Sequence, residues 1–383
     1  MSKIIVLGAG LVGSAIAIDL SHNHHVTLCD LDIKVLNKIK LKDDSLNIKE
    51  LDVTNESELQ GTIKQFDLVV CAVPGFLGFN TLKIIINSGI NVIDISFSPE
   101  DFLPLDALAR EKNVTAIVDC GVAPGLDNLI LGRYNEKMKL SHFECLVGGL
   151  PKVKKWPFCY KAPFSPIDVI EEYTRPARYV EHGEIVVREP LTDCEYADFE
   201  KVGTLESFNS DGLRSIINTM SHIPNMKEKT LRYPGHVEYV RVLKEAGFFS
   251  KENIVVNGLA VSPLDFTSRI LINNWKSGET EDEFTVMRIT LKGENAGGQT
   301  EEVVYDLYDE YNLETNTSSM ARTTGYTATA AANMFLDGLF TEKGVFPPVT
   351  VGKHEVCFDY ILKYLGDRNI HFIKNTRTLS QLR

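Results

Sequence analysis

The first hundred residues alternate short apolar runs, rich in β-branched residues, with amphipathic stretches of helical period. This alternation is typical of a parallel sheet that carries helices on both faces. Because most of these runs are continuously apolar, we expect the strands to be buried on both sides, as parallel strands are. The predicted strands cover residues 3–7, 25–29, 48–53, 67–73, 91–95 and 116–118, and a helix over 12–21 joins the first two.

The pattern changes after residue 151. From there to residue 319 the loops are longer, aromatic residues are frequent, and apolar and polar positions alternate in strands such as 284–291 and 301–308. Strict alternation is typical of strands with one buried and one exposed face. We therefore predict an α/β protein with a doubly wound parallel sheet of the Rossmann type in residues 1–130, followed by a second α/β domain with a mixed or antiparallel sheet.

The C-terminal segment resumes a helical pattern. Residues 323–338 predict one helix that threonines cap at its start and Gly338 ends. A further helix is predicted over residues 356–365 and a strand over 371–373. We expect residues 320–383 to return to the first domain, which leaves residues 131–319 as a second domain.

A glycine-rich turn joins the first predicted strand to the first predicted helix, with the sequence Gly8-Ala9-Gly10-Leu11-Val12-Gly13. The first glycine allows the tight turn, the second lets the backbone approach a pyrophosphate, and the third lets the helix pack against the strand. The phosphate then meets free N–H groups and the positive end of the helix dipole. We therefore expect this turn to bind a dinucleotide through Gly8, Gly10, Leu11, Val12 and Gly13.

An acidic residue stands where such a cofactor presents its ribose. Asp30 ends the second predicted strand, 20 residues after Gly10, at the usual position of the carboxylate that meets the ribose hydroxyls. A carboxylate there repels the extra phosphate of NADP. Asp32 adds to this repulsion, and Leu31 offers no compensating cation. The sequence therefore predicts NAD as the cofactor.

Two later strand ends could complete the same site, since ligands gather beyond the carboxyl ends of parallel strands. Asp52 and Val53 follow the third predicted strand and could contact the adenine, although a helix N-cap in this stretch is the alternative. Ala72, Val73 and Pro74 follow the fourth strand and could pass under the nicotinamide ribose, or could simply lead the chain out of the strand.

Composition and charge exclude several classes of function. Of 383 residues, 40 are Lys or Arg and 52 are Asp or Glu, which gives a formal charge of −12 and makes nucleic acid an unexpected partner. No apolar stretch reaches the roughly 18 residues of a membrane span, and the N-terminus lacks the pattern of a secretory signal. The seven cysteines show neither the spacing of a zinc site nor a disulfide framework. We expect a cytoplasmic protein without membrane, nucleic-acid or metal partners.

Three further motifs carry a family resemblance. They are Asp119-Cys120-Gly121-Val122-Ala123-Pro124-Gly125-Leu126-Asp127-Asn128, Leu231-Arg232-Tyr233-Pro234-Gly235-His236 and Ser319-Met320-Ala321-Arg322-Thr323-Thr324-Gly325-Tyr326. Together they resemble the saccharopine dehydrogenase-like family, over residues 8–349. The stretches Gly148-Gly149-Leu150-Pro151 and Tyr160-Lys161-Ala162-Pro163-Phe164-Ser165 resemble its lysine 6-dehydrogenase branch.

The resemblance implies a Rossmann domain with a second α/β domain inserted, a homodimer formed largely through that second domain, and NAD(P)-linked oxidation or reduction at an amine carbon. It does not fix the amine, because relatives include glutamate-forming saccharopine dehydrogenases and carboxynorspermidine synthases, which act on bulkier amines. Val122 and Ala123 differ from the residues of several saccharopine enzymes, and the chain shows no insert that would match their longer substrate domain. Both departures favour a smaller substrate.

The chemistry of amine oxidation points to particular side chains. Hydride leaves only a carbon whose nitrogen is neutral, so a base must take the amine proton. His236 and Lys161 are the candidate bases: histidine titrates near neutral pH, whereas lysine needs a lowered pKa. His236 lies in a Pro-Gly-His turn that we expect to face a cleft. Asp119, at the end of the sixth predicted strand, could meet the substrate ammonium or close an ion pair.

Arginines are the expected holders of a substrate carboxylate, because a guanidinium binds both oxygens in one plane. Arg232 and Arg322 are the candidates, with a structural ion pair as the alternative for each. The other predicted pocket residues are Tyr233 and Phe164 as walls of the pocket, Thr323 and Thr324 at a helix start, and Gly121 beside the cofactor.

These residues support an NAD-dependent dehydrogenase that oxidises lysine at its ε-carbon to the 6-semialdehyde, which cyclises with its own α-amine. A glutamate-forming saccharopine dehydrogenase or a carboxynorspermidine-type reductase is the enzymatic alternative. The alternative from another class is a regulatory protein that binds NAD without catalysis. Such a protein would keep the glycine-rich turn and Asp30 but would not need Arg232, His236 and Arg322 to converge.

Overall fold

A computed structural model describes residues 1–162, 166–276 and 282–379 of the chain. The strands in this part are β1 (Lys3–Leu7), β2 (His25–Asp30), β3 (Asn47–Glu50), β4 (Leu68–Cys71), β5 (Val92–Asp94), β6 (Thr115–Ile117), β7 (Met138–Pro151), β8 (Ala177–Glu181), β9 (Glu184–Arg188), β10 (Glu195–Phe199), β11 (Gly203–Asn209), β12 (Met226–Arg232), β13 (Ile254–Val256), β14 (Leu259–Val261), β15 (Glu283–Asn295), β16 (Thr300–Glu310), β17 (Gly344–Phe346) and β18 (Phe372–Thr378).

The helices of the described residues are α1 (Leu11–Ser21), α2 (Ile33–Lys40), α3 (Glu56–Ile63), α4 (Gly75–Asn87), α5 (Asp106–Glu111), α6 (Leu126–Asn135), α7 (Pro166–Thr174), α8 (Ile216–Thr219), α9 (His236–Glu245), α10 (Pro263–Trp275), α11 (Ser319–Leu336), α12 (Pro348–Gly352) and α13 (Glu355–Gly366), and a 3-10 turn covers Leu103–Leu105. None of these helices is both long and apolar enough to cross a membrane.

The first sheet has seven parallel strands in the order β17, β6, β5, β4, β1, β2, β3. From β1 the chain adds β2 and β3 on one side. It then returns to add β4, β5, β6 and finally β17 on the other side, as in a doubly wound Rossmann sheet. The apolar runs form these strands because both faces are covered: Ile4, Ile5, Val6 and Leu7 of β1 are fully buried. The predicted Rossmann sheet is confirmed.

The second sheet contains nine strands and is mixed. Its main order is β10, β11, β12, β7, β15, β16, β18, while β8 pairs with β12 and β9 pairs with β8. The pairing of β12 with β7 is parallel, whereas the pairings of β7 with β15 and of β15 with β16 are antiparallel. A second α/β domain with a mixed sheet was predicted and is confirmed.

The C-terminal segment divides between the two sheets. β17 pairs with β6 and so joins the first sheet. β18 pairs with β16 at the edge of the second sheet, so the expectation that this strand returns to the first domain is wrong. An apolar triplet such as 371–373 predicts a strand but does not identify the sheet that it joins.

Helix α11 packs against α1 and is buried over most of its length. A Cβ added to its Gly325 would lie 3.3 Å from Ile16 of α1, so the two helices approach closely there. The helix begins at Ser319, where the Ser318 hydroxyl accepts a hydrogen bond from the backbone N–H of Ala321 at 3.2 Å. The prediction that threonines cap this helix is therefore wrong, because its start lies one turn earlier.

The carboxyl ends of β1, β4, β5 and β6 meet at one edge of the first sheet, where ligands of such sheets bind. Two elements of the second domain reach this edge: the buried loop 210–215, which follows β11, and the helix α7. The fold thereby places side chains of the second domain directly over the strand ends of the first.

Candidate active site

The glycine-rich turn is closely packed on one side and open on the other. Gly8 has φ +101°, and a Cβ there would lie 2.4 Å from the carbonyl oxygen of Ala72. A Cβ on Gly13 would lie 2.1 Å from the carbonyl oxygen of Gly8, whereas one on Gly10 would meet no atom within 4 Å. The turn therefore needs glycine at the first and third positions for its own packing, and leaves free space over the second, at the start of α1, where an anion fits.

Asp30 is fixed by the backbone around it. Its Oδ2 accepts a hydrogen bond from Ala9 N–H at 2.8 Å and its Oδ1 accepts one from Asp32 N–H at 3.0 Å. Asp32 itself caps α2 by accepting from Lys34 N–H at 2.8 Å. Two carboxylates therefore lie beside the turn, and Leu31 and Leu11 next to them are exposed apolar side chains.

The stretch after β3 forms a turn beside an open crevice. Asp52 Oδ1 accepts hydrogen bonds from the hydroxyl and the backbone N–H of Thr54, at 2.7 and 2.9 Å, and these bonds lower the pKa of Asp52. Asn55, not Asp52, caps α3. Val53 and Thr54 line a crevice of about 540 Å³ together with Leu77 of α4.

The loop after β4 packs against the loop after β5. The Ala72 carbonyl supports the glycine-rich turn, Val73 is buried and Pro74 precedes α4. A Cβ on Gly75 would lie 2.3 Å from the carbonyl oxygen of Phe97 and 3.2 Å from Oδ1 of Asp168 on α7. Residues of both domains thus meet where α4 begins.

A buried carboxyl lies under this junction. Asp94 ends β5 and accepts hydrogen bonds from the hydroxyl of Ser96, at 2.9 Å, and from its backbone N–H, at 3.2 Å. Burial raises the pKa of Asp94 to about 7, because desolvation disfavours the charged form more than these bonds favour it. The carbonyl of Asp94 accepts from Cys120 N–H at 2.9 Å, which ties β5 to the next strand end. Gly121 follows and packs against a methyl group of Thr324.

Asp119 is bound by an arginine of the second domain. Its Oδ1 accepts from Arg214 Nε at 2.9 Å, and both side chains are buried. Arg214 Nη1 donates to the carbonyl of Ser98 at 2.6 Å, and its guanidinium lies 4.7 Å from the centre of the Phe97 ring. The sequence left two roles open for Asp119, contact with a substrate ammonium or an ion pair. The structure contains the ion pair, with Arg214, which lies 95 residues away in the chain.

A second arginine faces the same ring. The guanidinium of Arg175, at the end of α7, lies 5.4 Å from the centre of the Phe97 ring and pairs with Glu171 at 3.2 Å. Two cations and Asp168 therefore surround the loop after β5, next to the glycine-rich turn. The sequence analysis did not identify Arg175 or Arg214, because neither belongs to a motif and only the fold brings them to the strand ends.

His236 lies in a buried aromatic cluster, so the expectation that it faces a cleft is wrong. It is 2% exposed. Its Nδ1 donates to the carbonyl of Phe158 and its Nε2 accepts from the Tyr173 hydroxyl, both at 2.9 Å. Burial and the nearby charge of Arg232 lower the pKa of His236 to about 3. A neutral ring with both nitrogens engaged is poorly suited to take a proton from a substrate.

Arg232 belongs to the same cluster, apart from the strand ends. All three of its nitrogens donate: Nε to the Tyr173 hydroxyl at 3.1 Å, Nη1 to the Leu231 carbonyl at 2.9 Å, and Nη2 to Glu172 at 2.7 Å. The guanidinium also stacks 4.3 Å from the centre of the Tyr160 ring. Arg232 was predicted either to hold a substrate carboxylate or to form a structural ion pair. The structure contains the ion pair, with Glu172.

Lys161 and Tyr233 also take structural positions. Lys161 Nζ donates to the carbonyls of Asn274 and Lys276, at 2.8 and 3.3 Å, and so ties its loop to the end of α10. Tyr233 is buried and its hydroxyl donates to the carbonyl of Pro151 at 3.0 Å. Phe164 lies outside the described residues.

The predicted residues of α11 do not converge on one pocket. Arg322 is buried, and its Nε and Nη2 bind both oxygens of Asp309 at 3.1 Å, the mode expected for a substrate carboxylate. Thr323 is buried in the second turn and its hydroxyl donates to the Ser319 carbonyl at 2.9 Å. Thr324 alone reaches the strand-end edge, beside Gly121.

Two acidic side chains and a cysteine cluster near this edge. Asp127 of α6, Cys145 of β7 and Glu228 of β12 place their ligand atoms within 4.8 Å of one another, and all are buried. Burial raises the pKa of both carboxyls, to about 7 for Asp127 and well above its ordinary value for Glu228. Asp127 raises the pKa of Glu228 further, whereas the hydrogen bond with Glu228 lowers the pKa of Asp127. These shifts disfavour the charged carboxylates that a cation site needs.

Comparison with known families agrees with this arrangement. Residues 4–117 match the family model of the saccharopine dehydrogenase NADP binding domain, and residues 121–370 match that of the saccharopine dehydrogenase C-terminal domain. These two matches leave only short segments of the chain outside the family models.

Curated relatives carry related names. The chain is 23% identical to mitochondrial alpha-aminoadipic semialdehyde synthase of Mus musculus over 423 residues, which include 91% of this chain and 45% of the mouse protein. It thus spans about half the length of that relative. It is 23% identical to the NADP(+), L-glutamate-forming saccharopine dehydrogenase of Saccharomyces cerevisiae, with 97% of this chain and 98% of the yeast protein covered.

Solved structures share the fold. Apo saccharopine dehydrogenase (L-Glu forming) from Saccharomyces cerevisiae matches with a TM-score of 0.79 at 21% identity, over 98% of this chain and all of that one. Homospermidine synthase from Legionella pneumophila, in complex with NAD, matches with a TM-score of 0.66 at 12% identity, over 100% of this chain and 93% of that one.

Proposed function

Because the chain belongs to the saccharopine dehydrogenase family, we propose that it is an NAD-dependent dehydrogenase that oxidises L-lysine at the ε-carbon. The overall reaction converts lysine with a charged ε-amine, NAD⁺ and water into the 6-semialdehyde, NADH, ammonium and one proton. A bound nicotinamide supplies the hydride acceptor. The semialdehyde then cyclises with its own α-amine.

One observation carries the proposal: the glycine-rich turn 8–13 and the buried loop 210–215 of the second domain lie at the same edge of the first sheet. The free space over Gly10 fits a pyrophosphate, and the loop after β4 leads from there toward Phe97, Arg175 and Arg214. A substrate with an ammonium and a carboxylate finds Asp168 and the two guanidinium groups beside that loop. Opposite charges at one cleft are the requirement for an amino-acid substrate.

NAD is the proposed cofactor, rather than NADP, on electrostatic grounds. Asp30 and Asp32 both lie at the end of β2 beside the turn, and Leu31 between them is apolar and exposed. Two carboxylates oppose a 2′-phosphate, whereas ribose hydroxyls can donate to Asp30. The yeast relative is named for NADP(+), so the cofactor preference is a direct test of this difference.

The choice of lysine over saccharopine rests on size. The alignment with the yeast saccharopine dehydrogenase spans 443 positions. It includes 97% of this 383-residue chain, which is about 370 residues, so about 70 positions of the yeast protein have no counterpart here. A shorter chain with the same fold supports a smaller substrate. The alternatives are saccharopine itself and a carboxynorspermidine-type reduction.

The amine proton needs a route that does not use the bases predicted from sequence. His236 is neutral and engaged at both nitrogens, and Lys161 donates to two carbonyls. The ε-amine of lysine has an unperturbed pKa of roughly 10.4, so only a small fraction is neutral at pH 7. We expect oxidation to be faster at alkaline pH because the substrate itself must lose its proton.

We further propose that the protein is a homodimer formed through its second domain. Large apolar side chains there are more than half exposed, among them Val242, Val255, Leu259 and Phe266. β13 and β14 form a two-stranded sheet of their own, and an isolated hairpin is marginally stable in water without a cover. Light scattering after gel filtration measures the assembly; a monomer at micromolar concentration would contradict it.

An NADH-formation assay across lysine, saccharopine, ornithine and polyamines, each with NAD⁺ or NADP⁺, tests the function. We expect lysine with NAD⁺ to give the highest kcat/KM. A preference for saccharopine would make the glutamate-forming alternative correct. Binding of NADH with no turnover of any amine in either direction would favour the regulatory protein.

A further inference from the structure

Helix α7 belongs to the second domain but contacts both domains. Its Val169 and Tyr173 are fully buried in the apolar core of the second domain. Asp168 approaches the start of α4 in the first domain, and the guanidinium of Arg175, just after the helix, lies 5.4 Å from the centre of the Phe97 ring. The helix therefore extends from the aromatic cluster around His236 to the strand-end edge of the first sheet.

The contact of α7 with the first domain is close. A Cβ on Gly75, the first residue of α4, would lie 3.2 Å from Oδ1 of Asp168 and 2.3 Å from the carbonyl oxygen of Phe97. Glycine at this position leaves room for the carboxylate and the carbonyl together. Asp168 is 9% exposed, so the elements packed around it set its position. A displacement of α7 therefore moves this carboxylate relative to the strand ends.

Arg232 binds the next turn of the same helix. Its Nη2 donates to Glu172 at 2.7 Å and its Nε donates to the Tyr173 hydroxyl at 3.1 Å. The Tyr173 hydroxyl in turn donates to Nε2 of His236 at 2.9 Å. Glu172 follows Asp168 by one helical turn. Two residues of one sequence motif thus bind α7 through consecutive side chains, one turn away from its contact with the first domain.

The charges on α7 explain why an arginine is needed at this turn. Asp168 and Glu172 are four residues apart, so their carboxylates lie on one face of the helix and repel each other. Burial raises the pKa of Glu172, Arg232 opposes this shift, and Asp168 adds to it. Without the guanidinium, Glu172 loses its hydrogen-bonded counter-charge and must take up a proton or move toward water. Either change alters how α7 packs.

Arg232 is itself held in one orientation. It is 2% exposed, its Nη1 donates to the Leu231 carbonyl at 2.9 Å, and its guanidinium lies 4.3 Å from the centre of the Tyr160 ring. The Trp275 ring packs edge-on against Tyr160 and Tyr173, with ring centres 5.5 and 5.8 Å apart. Because Arg232 is the last residue of β12, α7 takes its position from the second sheet.

We propose that Arg232 is a positioning residue for the reaction, which acts through α7 by holding Asp168 at the start of α4, where the substrate ammonium binds. The nature of the substrate in this assignment rests on the proposed function. Arg232 then contributes to the reaction without touching the substrate, and His236 supports the same turn of α7 through Tyr173.

A double-mutant cycle tests whether Arg232 acts through Asp168. The kcat/KM for L-lysine with NAD⁺ and the Kd of NADH are measured on wild type, Arg232→Gln, Asp168→Asn and the double variant. We expect each single change to lower kcat/KM by about 10- to 100-fold, because one misplaces and the other removes a binding group. The double variant should then lie within about threefold of the less active single variant. The Kd of NADH should change by less than about threefold, because neither residue touches the glycine-rich turn.

Arg322→Gln is the matched control. Arg322 is also buried, but its bonds within the described residues go to Asp309 and to the carbonyl of Arg368 rather than to α7. Any loss that it causes should multiply with the loss in Asp168→Asn. Losses that multiply in the Arg232 cycle as well, or an unchanged kcat/KM in Arg232→Gln, would overturn the proposal.

A conservative variant covers the case in which Arg232→Gln does not fold. Arg232→Lys keeps the charge but not the planar fork that reaches Glu172 and Tyr173 together. We expect its kcat/KM to lie between those of wild type and Arg232→Gln. If Arg232→Gln does not fold, the cycle is run with Arg232→Lys, and multiplying losses overturn the proposal in the same way.

Hydrogen exchange followed by mass spectrometry gives a readout that needs no substrate. In Arg232→Gln, peptides from α7 and from residues 75–79 at the start of α4 should both exchange faster by about tenfold or more, because the contact between them opens. Peptides from residues 8–13 should be unchanged. Faster exchange in α7 alone would show that Arg232 stabilises only its own domain and would overturn the positioning role.

Failure of the proposed function has a different result. If wild type oxidises saccharopine and not lysine, lysine is the wrong substrate, and the same cycle is run with saccharopine, where multiplying losses overturn the positioning role. If wild type oxidises no amine, the Kd of L-lysine for the NADH complex, from calorimetric titration, replaces kcat/KM in the cycle. Losses of affinity that multiply, or no lysine binding at all, then overturn the role of Arg232.

Discussion

Replacement of Gly10 by alanine should remove cofactor binding while leaving the fold intact. Gly10 has φ −67° and ψ −173°, which alanine adopts without strain, and the added Cβ would meet no atom within 4 Å. Alanine restricts the unfolded chain, which raises the free energy of unfolding by roughly 0.4–1 kcal/mol. It is also a poorer N-cap residue than glycine, which lowers the free energy of unfolding by a similar amount. We therefore expect the free energy of unfolding without cofactor to change by less than about 1 kcal/mol.

The effect on the cofactor follows from the same open space. If the pyrophosphate lies over Gly10, the methyl group occupies its position and separates it from the N–H groups at the start of α1. Losing a single charge-assisted hydrogen bond of roughly 1.5–3 kcal/mol weakens binding by about 10- to 100-fold, and the methyl group disturbs more than one. Calorimetric titration with NADH measures this loss.

Gly13→Ala is the matched control in the same turn. Its Cβ would lie 2.1 Å from the carbonyl oxygen of Gly8, so α1 or the turn must move, at a cost of roughly 1–3 kcal/mol. We expect this variant to lose stability in chemical denaturation as well as NADH affinity. Normal NADH affinity in Gly10→Ala would refute the placement of the pyrophosphate, and equal destabilisation of the two variants would refute the packing argument.

Three further changes have expected outcomes. Asp30→Ala should reduce kcat/KM with NAD⁺ more than with NADP⁺, and equal reduction would contradict the electrostatic argument. His236→Ala should lower the free energy of unfolding by roughly 2–4 kcal/mol and leave the alkaline rise of kcat in place; loss of that rise would restore His236 as the base. Asp94, with its pKa raised to about 7, keeps a proton that the unfolded chain releases near pH 4. As the pH rises from about 4 to about 8, the free energy of unfolding of wild type should therefore fall by up to roughly 4 kcal/mol relative to that of Asp94→Asn, measured by urea denaturation. A difference between the two proteins that does not change with pH would mean that Asp94 is charged when folded.

The first domain could be predicted from sequence because its pattern is local. Each strand is a short apolar run and each connection is a helix, so strand positions such as 3–7 agree with the structure to within a few residues. Right-handed connections then place the helices on both faces of the sheet. The glycine-rich turn could be predicted for the same reason, since its three glycines act through backbone geometry within six consecutive residues.

The second domain was predicted less completely because its contacts are not local. β15 and β16 extend beyond the predicted 284–291 and 301–308, since the long pairing of the two strands continues past their apolar centres. β18 joins β16 through register partners such as Phe372 and Leu307, about 65 residues apart. No pattern inside a single strand encodes its neighbour in a mixed sheet.

The substrate site shows where motif reasoning fails and what replaces it. A buried arginine must be paired, because desolvation of an isolated charge costs several kcal/mol. An arginine in a sequence motif can therefore serve the packing of its own domain, and its sequence context does not distinguish it from one at the strand ends. The difference lies in where the partners are: Arg232 gives its nitrogens to Tyr173, Leu231 and Glu172. Arg214 instead binds Asp119 and the carbonyl of Ser98, at the strand ends of the first domain. A fully bonded arginine stabilises the domain that contains it. An arginine whose partners belong to the other domain lies where the two domains meet, and this placement can be recognised only after the chain has folded.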